Sequence, residues 1–278
     1  MSLSIFFREN RMRRLLLLSA AILAGSSARA DEKYVTIKGQ VKWNGEKAPA
    51  AAPIDFKANP DEKECCKNVK GGLLSSEFEV DPKTFGVKAV IVWLRPDDDD
   101  REKPFPTDKI HPDLAKAKSV QRVIDQPDCQ FEPRVLAARA GDTLVVKNSA
   151  KIGHNINFIG NSPAMTFNVI IPAGGEHSLK APLEADRRLC AFKCDIHGWM
   201  KGAVRVFDHP YFATTDKDGK FEIVDAPVGK WRIVYWHEGG FHKGVKGFLG
   251  FPIEVKGDKK TLQLEAIKLE LPPKLSSK

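Results

Sequence analysis

From Val120 to Phe207 the chain never sustains a helical period; it breaks into apolar runs of four to six residues punctuated by Pro, Gly and Asn. Segments 120–124, 135–138, 143–147, 155–159, 166–171, 177–180, 189–193 and 203–207 read as short strands. So many short strands at this spacing leave an antiparallel β-sandwich as the natural way to bury their apolar faces. Upstream, 34–43 alternates apolar and polar residues, and 87–94 is an apolar run containing Trp93. One short helix is expected at 113–119. The acidic run 97–100 precedes Arg101-Glu102-Lys103 and lacks the spaced oxygen ligands of a calcium loop, so it reads as a solvated turn. The expected fold class is all-β.

Within this pattern one loop carries chemistry. Cys194, His197 and Met200 form a C-x2-H-x2-M run, placing a thiolate, an imidazole and a thioether on one tight turn. Soft sulfur with nitrogen selects copper, and a second imidazole has to arrive from elsewhere in the chain. His154 is the candidate, delivered by the strand that follows the turn at 140–143. Read singly, a Cys in an exported β-protein is a disulfide half and a His or Met is packing; the ordered set of four favours a metal site.

A distant His followed by a Cys-His-Met loop resembles the cupredoxins, the blue-copper proteins, over about residues 120–207, and the short loop spacing resembles their amicyanin type. The resemblance implies a Greek-key sandwich holding one type 1 copper ion through His154, Cys194, His197 and axial Met200. It implies that Asn155 bonds across to the metal loop and that Trp199 stands before the axial Met. Gly198 departs from the Pro usual in amicyanin-like loops. A His2Cys set with a long axial Met compromises between the two copper oxidation states, and a set with every position filled by protein suits electron transfer rather than catalysis. The partner implied is a redox protein such as a cytochrome or a dehydrogenase.

Cys190 brings a competing pattern. C-x3-C-x2-H-x2-M falls one residue short of the two-copper motif C-x3-C-x3-H-x2-M of cytochrome oxidase. Cys190 also shares strand parity with Phe192 and Cys194, which makes it a core thiol or disulfide half. Cys65, Cys66 and Cys129 are the remaining candidate disulfide cysteines, with Cys129 paired to one of the adjacent two, since neighbours bridge each other only under strain. No C-x-x-C-H occurs, so attached haem is not indicated.

The N-terminus sets the compartment. Arg8, Arg11, Arg13 and Arg14 precede an apolar run from Leu15 to Leu23 and an A-x-A ending at Ala30, which describes a cleaved secretory signal with mature start near Asp31. The run is too short for a membrane span. A periplasmic or secreted location is expected, where disulfides persist. The chain carries +8, but the leader holds five Arg and one Glu, so +4 remains on residues 31–278. Interspersed charge of that size excludes a nucleic-acid footprint.

After the metal loop, Thr215-Asp216-Lys217-Asp218-Gly219-Lys220-Phe221, then Pro227-Val228-Gly229 and the aromatic run Trp231 to Trp236, resembles the carboxypeptidase regulatory-like (prealbumin-like) sandwich over about residues 209–256. The physical content is a D-G turn joining two strands and a Pro/Gly turn into a buried aromatic strand. Segments 251–255 and 261–269 are expected to complete it. Its first strands are missing directly upstream, and 34–43 with 87–94 can supply them, which would make the copper-binding part an insertion. The expected division is a signal at 1–30, a β-rich segment at 31–119, the cupredoxin-like domain at 120–207, the smaller sandwich at 208–270 and a loose tail at 271–278. His237 and His242 read as packing. The expected function is one-electron transfer. Copper holding or delivery, and a non-redox cell-surface binding module, are the alternatives. No acid–base pair or activated nucleophile stands at recognisable spacing, so an enzyme is not expected.

Overall fold

The computed structural model describes residues 32–67 and 69–271. The expected signal at 1–30 and most of the expected tail at 271–278 lie outside the described residues.

Period-two alternation builds the first strand, Tyr34–Trp43, which buries Val35, Ile37 and Val41 on one face. It pairs antiparallel with Lys220–Pro227 and parallel with Thr261–Gln263 and Ile267–Leu269. The expected single strand at 261–269 is therefore two short ones. A second sheet places Ile91–Pro96 between Phe212–Thr214 and Gly229–His237, with Gly240–Phe241 and Phe251–Val255 also on the latter. These two sheets enclose a core containing Ile37, Val92, Leu94, Tyr211, Ile223, Trp231, Ile233 and Tyr235. The D-G turn is seated tightly: Gly219 has φ +72°, and a Cβ there would meet the Val41 carbonyl oxygen at 2.1 Å.

Residues 121–207 form the other sandwich, inserted between the strands of the first. One sheet runs Val135–Arg139, Lys201–Phe207, Cys190–Lys193, His154–Ile159, Phe167–Ile171. The opposing sheet runs Gln121–Ile124, Thr143–Lys147, Glu176–Ser178. Their core holds Ile124, Leu144, Val146, Ile156, Phe158, Phe192, Val204 and Val206. The expectation of a purely antiparallel sandwich is corrected here. Lys201–Phe207 runs parallel to Val135–Arg139, and Gln121–Ile124 runs parallel to Thr143–Lys147, because connections that cross from one sheet to the other return strands in the same direction. The helix expected at 113–119 is a single turn, Pro112–Ala115, with Pro112 at its first position.

The stretch between the first two strands is divided. Val87 and Val90 pack into the core of one sandwich, but Phe56, Cys65 and Leu73 pack into the core of the other. A Cys65–Cys129 disulfide, S–S 2.02 Å, fastens this segment; Cys66 is free and half-buried. The two sandwiches meet through Ile91, Trp93, Val234 and Trp236 on one side and Val135, Ala137 and Phe207 on the other. That contact explains why Ile91–Pro96 is buried on both faces and why its first four residues, Ile91 to Leu94, are all apolar. No helix among the described residues is long and apolar enough to cross a membrane.

Asp142, 3% exposed, pins the turn after Val135–Arg139. Its carboxylate accepts from the Val120 and Arg139 backbone N–H groups and from Arg122 Nε at 2.7 Å. Burial opposes its ionisation, but these bonds outweigh it and hold the carboxyl below its ordinary value. Its stabilisation is thus complete above the unfolded pKa of about 3.9 and is lost as pH falls through the lower folded value. Asp142→Asn should cost about 1–3 kcal/mol at pH 7. Urea unfolding should show that difference shrinking toward pH 3.

Candidate metal centre

His154 opens a strand of the larger sheet and points inward, fully buried. The neighbouring strand Cys190–Lys193 ends one residue before Cys194, so its inward parity carries the thiol into the same end of the core. The loop then closes on itself: the Cys194 N–H donates to the Met200 carbonyl at 3.0 Å and the Met200 N–H to the His197 carbonyl at 2.9 Å. This fold-back returns His197 to face His154. The two Nδ1 atoms are 2.8 Å apart, and Cys194 Sγ is 3.7 Å from His197 Nδ1. One ligand atom from each of the three residues lies within 4.8 Å of the others, and no second such cluster of His, Cys and carboxylate groups occurs among the described residues. Met200 is buried in the adjoining core.

Asn155 locks the two parts together. Its Oδ1 accepts from the Asp195 N–H at 2.7 Å and from the Cys194 thiol at 3.1 Å. Its Nδ2 donates to Asp195 Oδ2 and Asn168 Oδ1. Asp195 also receives Asn157, Asn168 and Lys193, and this donor set, Lys193 first, pulls its carboxyl down to about 2. The resulting polar belt fixes the entry to the loop.

The donor set fits copper by its chemistry. Two imidazole nitrogens and one thiolate converge in a site that the core closes to water. Burial opposes ionisation of Cys194, yet hydrogen bonds from His154, His197 and the Asn155 backbone bring the thiol down to about 6. His197 moves the other way: burial lowers it, but Cys194 and Asp61 outweigh that and raise it above its ordinary value.

Asp61 is the residue that sequence reasoning missed. Its Oδ2 lies 3.1 Å from His197 Nε2. It comes from the disulfide-fastened segment, 136 residues away, and no spacing rule could have found it. The same segment lays Phe56 edge-on against Trp199 at 4.7 Å and bonds Asn59 to the Ile196 carbonyl at 3.5 Å. Trp199 Nε1 donates to the Cys129 carbonyl at 3.0 Å. Together these contacts cover His197 completely, 0% exposed. The two imidazoles are unequal: His154 Nε2 is buried without a partner among the described residues, while His197 Nε2 has a carboxylate.

The other sequence candidates fall elsewhere. Cys190 lies in the core, where Asn161 Nδ2 approaches its sulfur at 3.3 Å. Three extended residues lie between it and Cys194, a span of about 13 Å of backbone, too far to share the loop's ligand cluster. Burial raises its thiol above the ordinary range. Cys65 and Cys129 are bonded at the edge of the centre. His237 and His242 are buried separately, each accepting a backbone N–H.

No family model matches the chain, and no curated protein matches it. Solved structures do resemble part of it. The copper-containing nitrite reductase NirK of Thermus scotoductus SA-01 aligns at 19% identity over 33% of this chain and 23% of its own, with TM-score 0.29. A purple cupredoxin of Nitrosopumilus maritimus aligns at 22% identity over 32% of this chain and 99% of its own, with TM-score 0.26. A reduced amicyanin variant aligns at 21% identity over 41% of this chain and 97% of its own, with TM-score 0.28. The chain thus spans under a quarter of the nitrite reductase and nearly all of each small cupredoxin.

Carboxylates that hold a ligating histidine typically contribute about 10–100-fold to metal affinity. Asp61→Ala should weaken copper binding by that factor in a competition titration while leaving the far-ultraviolet circular dichroism unchanged. Equal affinity would mean that Asp61 merely neighbours the ring.

Proposed function

We propose that residues 120–207 are a cupredoxin that would hold one type 1 copper ion through His154 Nδ1, His197 Nδ1 and Cys194 Sγ, with Met200 as a fourth ligand, and that the protein carries single electrons between redox partners. The observation that carries this reading is the convergence of those three ligand atoms within 4.8 Å in a buried site. Bound copper would supply a reversible one-electron couple. The chain's own part is to hold the ligand atoms still. Asn155 ties the Cys loop to the His154 strand, Asp61 orients His197, and the cover of Phe56 and Trp199 keeps water from the ring. A site prearranged in this way reorganises little when charge arrives or leaves. With protein groups filling the coordination positions, electron transfer rather than enzymatic catalysis is the role that fits.

The exported location belongs to the same reading: it rests on the leader and agrees with the disulfide at Cys65–Cys129. The second sandwich is taken as a carboxypeptidase regulatory-like domain interrupted by the cupredoxin, because Tyr34–Trp43 and Ile91–Pro96 supply its missing strands. A cytochrome or a dehydrogenase is the kind of partner implied.

One observation favours a second reading, copper holding or delivery. His197 is closed off behind Asp61, Phe56 and Trp199, so a partner protein does not meet its edge directly.

Titration of the mature protein with copper, followed by visible absorption and electron paramagnetic resonance, tests the assignment. One copper per chain with an intense thiolate-to-copper band, lost in Cys194→Ser, is expected. The absence of any such band would overturn it. Copper retained against a chelator through repeated reduction and oxidation is the behaviour of a carrier, and ready surrender is that of a holder.

A further inference from the structure

Away from the metal centre, a cleft of about 970 Å³ opens between the two sandwiches. One wall is Ile91–Pro96 with the loop 101–105; the other is the loop 185–189 with the end of Lys201–Phe207. Phe241 and Phe248, 4.7 Å apart and edge to face, form a half-exposed apolar corner. Ligand sites favour such junctions between packed units.

The charge in this cleft is unbalanced. Six of its lining side chains are Arg or Lys and three are Asp or Glu. His209 at the back adds nothing, since burial drives its imidazole down to about 3 and keeps it neutral. Arg95 is accounted for: its guanidinium donates to the carbonyls of Asp98, Asp100 and Leu249. Arg205 is not. Its guanidinium lies 5.1 Å from the ring centres of both Trp93 and Phe207, and Nη1 donates to the Arg187 carbonyl. Nε is buried without a partner, and no carboxylate lies within ion-pair distance among the described residues. Burial lowers this guanidinium to about 10, more than the nearby charges of Asp186 and Asp208 restore.

At the rim, Glu102 reaches across the cleft. Its carboxylate meets Arg187 on the opposite wall at 2.8 Å and Arg101 on its own at 3.1 Å. Arg101 in turn lies 4.3 Å over the Phe248 ring. Exposed pairs of this kind contribute only about 0–1 kcal/mol, so an incoming oxyanion can replace Glu102 at small cost. Guanidinium forks take carboxylate, phosphate and sulfate with two parallel hydrogen bonds, and a flat ring packs on Phe faces and under Arg.

We propose that this cleft binds a small organic anion, an oxyanion carried on a flat ring, with the oxyanion received by Arg205 and Arg187 and the ring laid against Phe241 and Phe248. The site contains no residue of the metal centre, so the proposal stands independently of the copper assignment.

The test is a calorimetric titration of the full mature chain with phenyl phosphate, inorganic phosphate and phenol. Phenyl phosphate should bind saturably at one site, with inorganic phosphate at least about tenfold weaker and phenol not binding. Removing the ring's apolar surface from water against Phe241 and Phe248 is sufficient for that factor. Arg205→Met should lower the phenyl phosphate affinity at least about tenfold, and Glu102→Gln should raise it severalfold by freeing Arg187. No saturable binding, or affinity that Glu102→Gln leaves unchanged, overturns the site, even where Arg205→Met fails to fold. Equal affinity for phosphate and phenyl phosphate overturns the role given to the two Phe rings.

Discussion

The hydrogen bond from the Asp195 N–H to Asn155 Oδ1, 2.7 Å, is the constraint on which the centre depends. His154 and Cys194 belong to strands whose ladders fix direction and spacing but not the path of the loop beyond. Asn155 fixes that path by giving the loop's first free N–H groups an acceptor and by bonding the Cys194 sulfur. These bonds join the loop directly to the residue after His154, so the two move as one. Asp195 closes the arrangement by collecting three Asn amides and one Lys at the surface end.

Around this loop the protein is organised as one sandwich interrupted by another. The interrupted sandwich depends on long-range pairing between its first strand and strands nearly two hundred residues later, with Tyr34 opposite Pro227. Such pairing is entropically slow to form. The inserted sandwich is instead closed by contacts within residues 121–207 and by the covering segment that Cys65–Cys129 fastens. That segment gives the centre Asp61 and Phe56, so the N-terminal part of the chain serves both cores. The junction between them is apolar at Trp93, Phe207 and Trp236 and charged where it opens into the cleft.

Burying both imidazoles has a physical consequence. An exposed ligand edge allows a partner close approach, whereas the Asp61 carboxylate over His197 Nε2 lends negative charge to the ring and shields it from solvent. A carboxylate in that position raises the basicity of the imidazole and favours the more positive state of a bound metal.

Much of this was legible in the sequence. Strand alternation gave Tyr34–Trp43 and Phe251–Val255 their bounds, because period-two burial is a local property of an extended chain. The His, Cys and His that converge, and the Asn beside His154, were visible as an ordered set, since a folded-back loop leaves few places for its side chains to go. The D-G turn at 218–219 was legible because only Gly adopts the required φ beside Val41 without strain. What the tertiary structure alone decided were matters of distance along the chain: which strands became parallel, that Cys65 rather than Cys66 bridged to Cys129, that Asp61 came to rest on His197, and that five arginines converged at a junction. Local propensity carries no information on such pairings. They are set by how two closed cores pack and by where the covering segment can reach once its disulfide holds it.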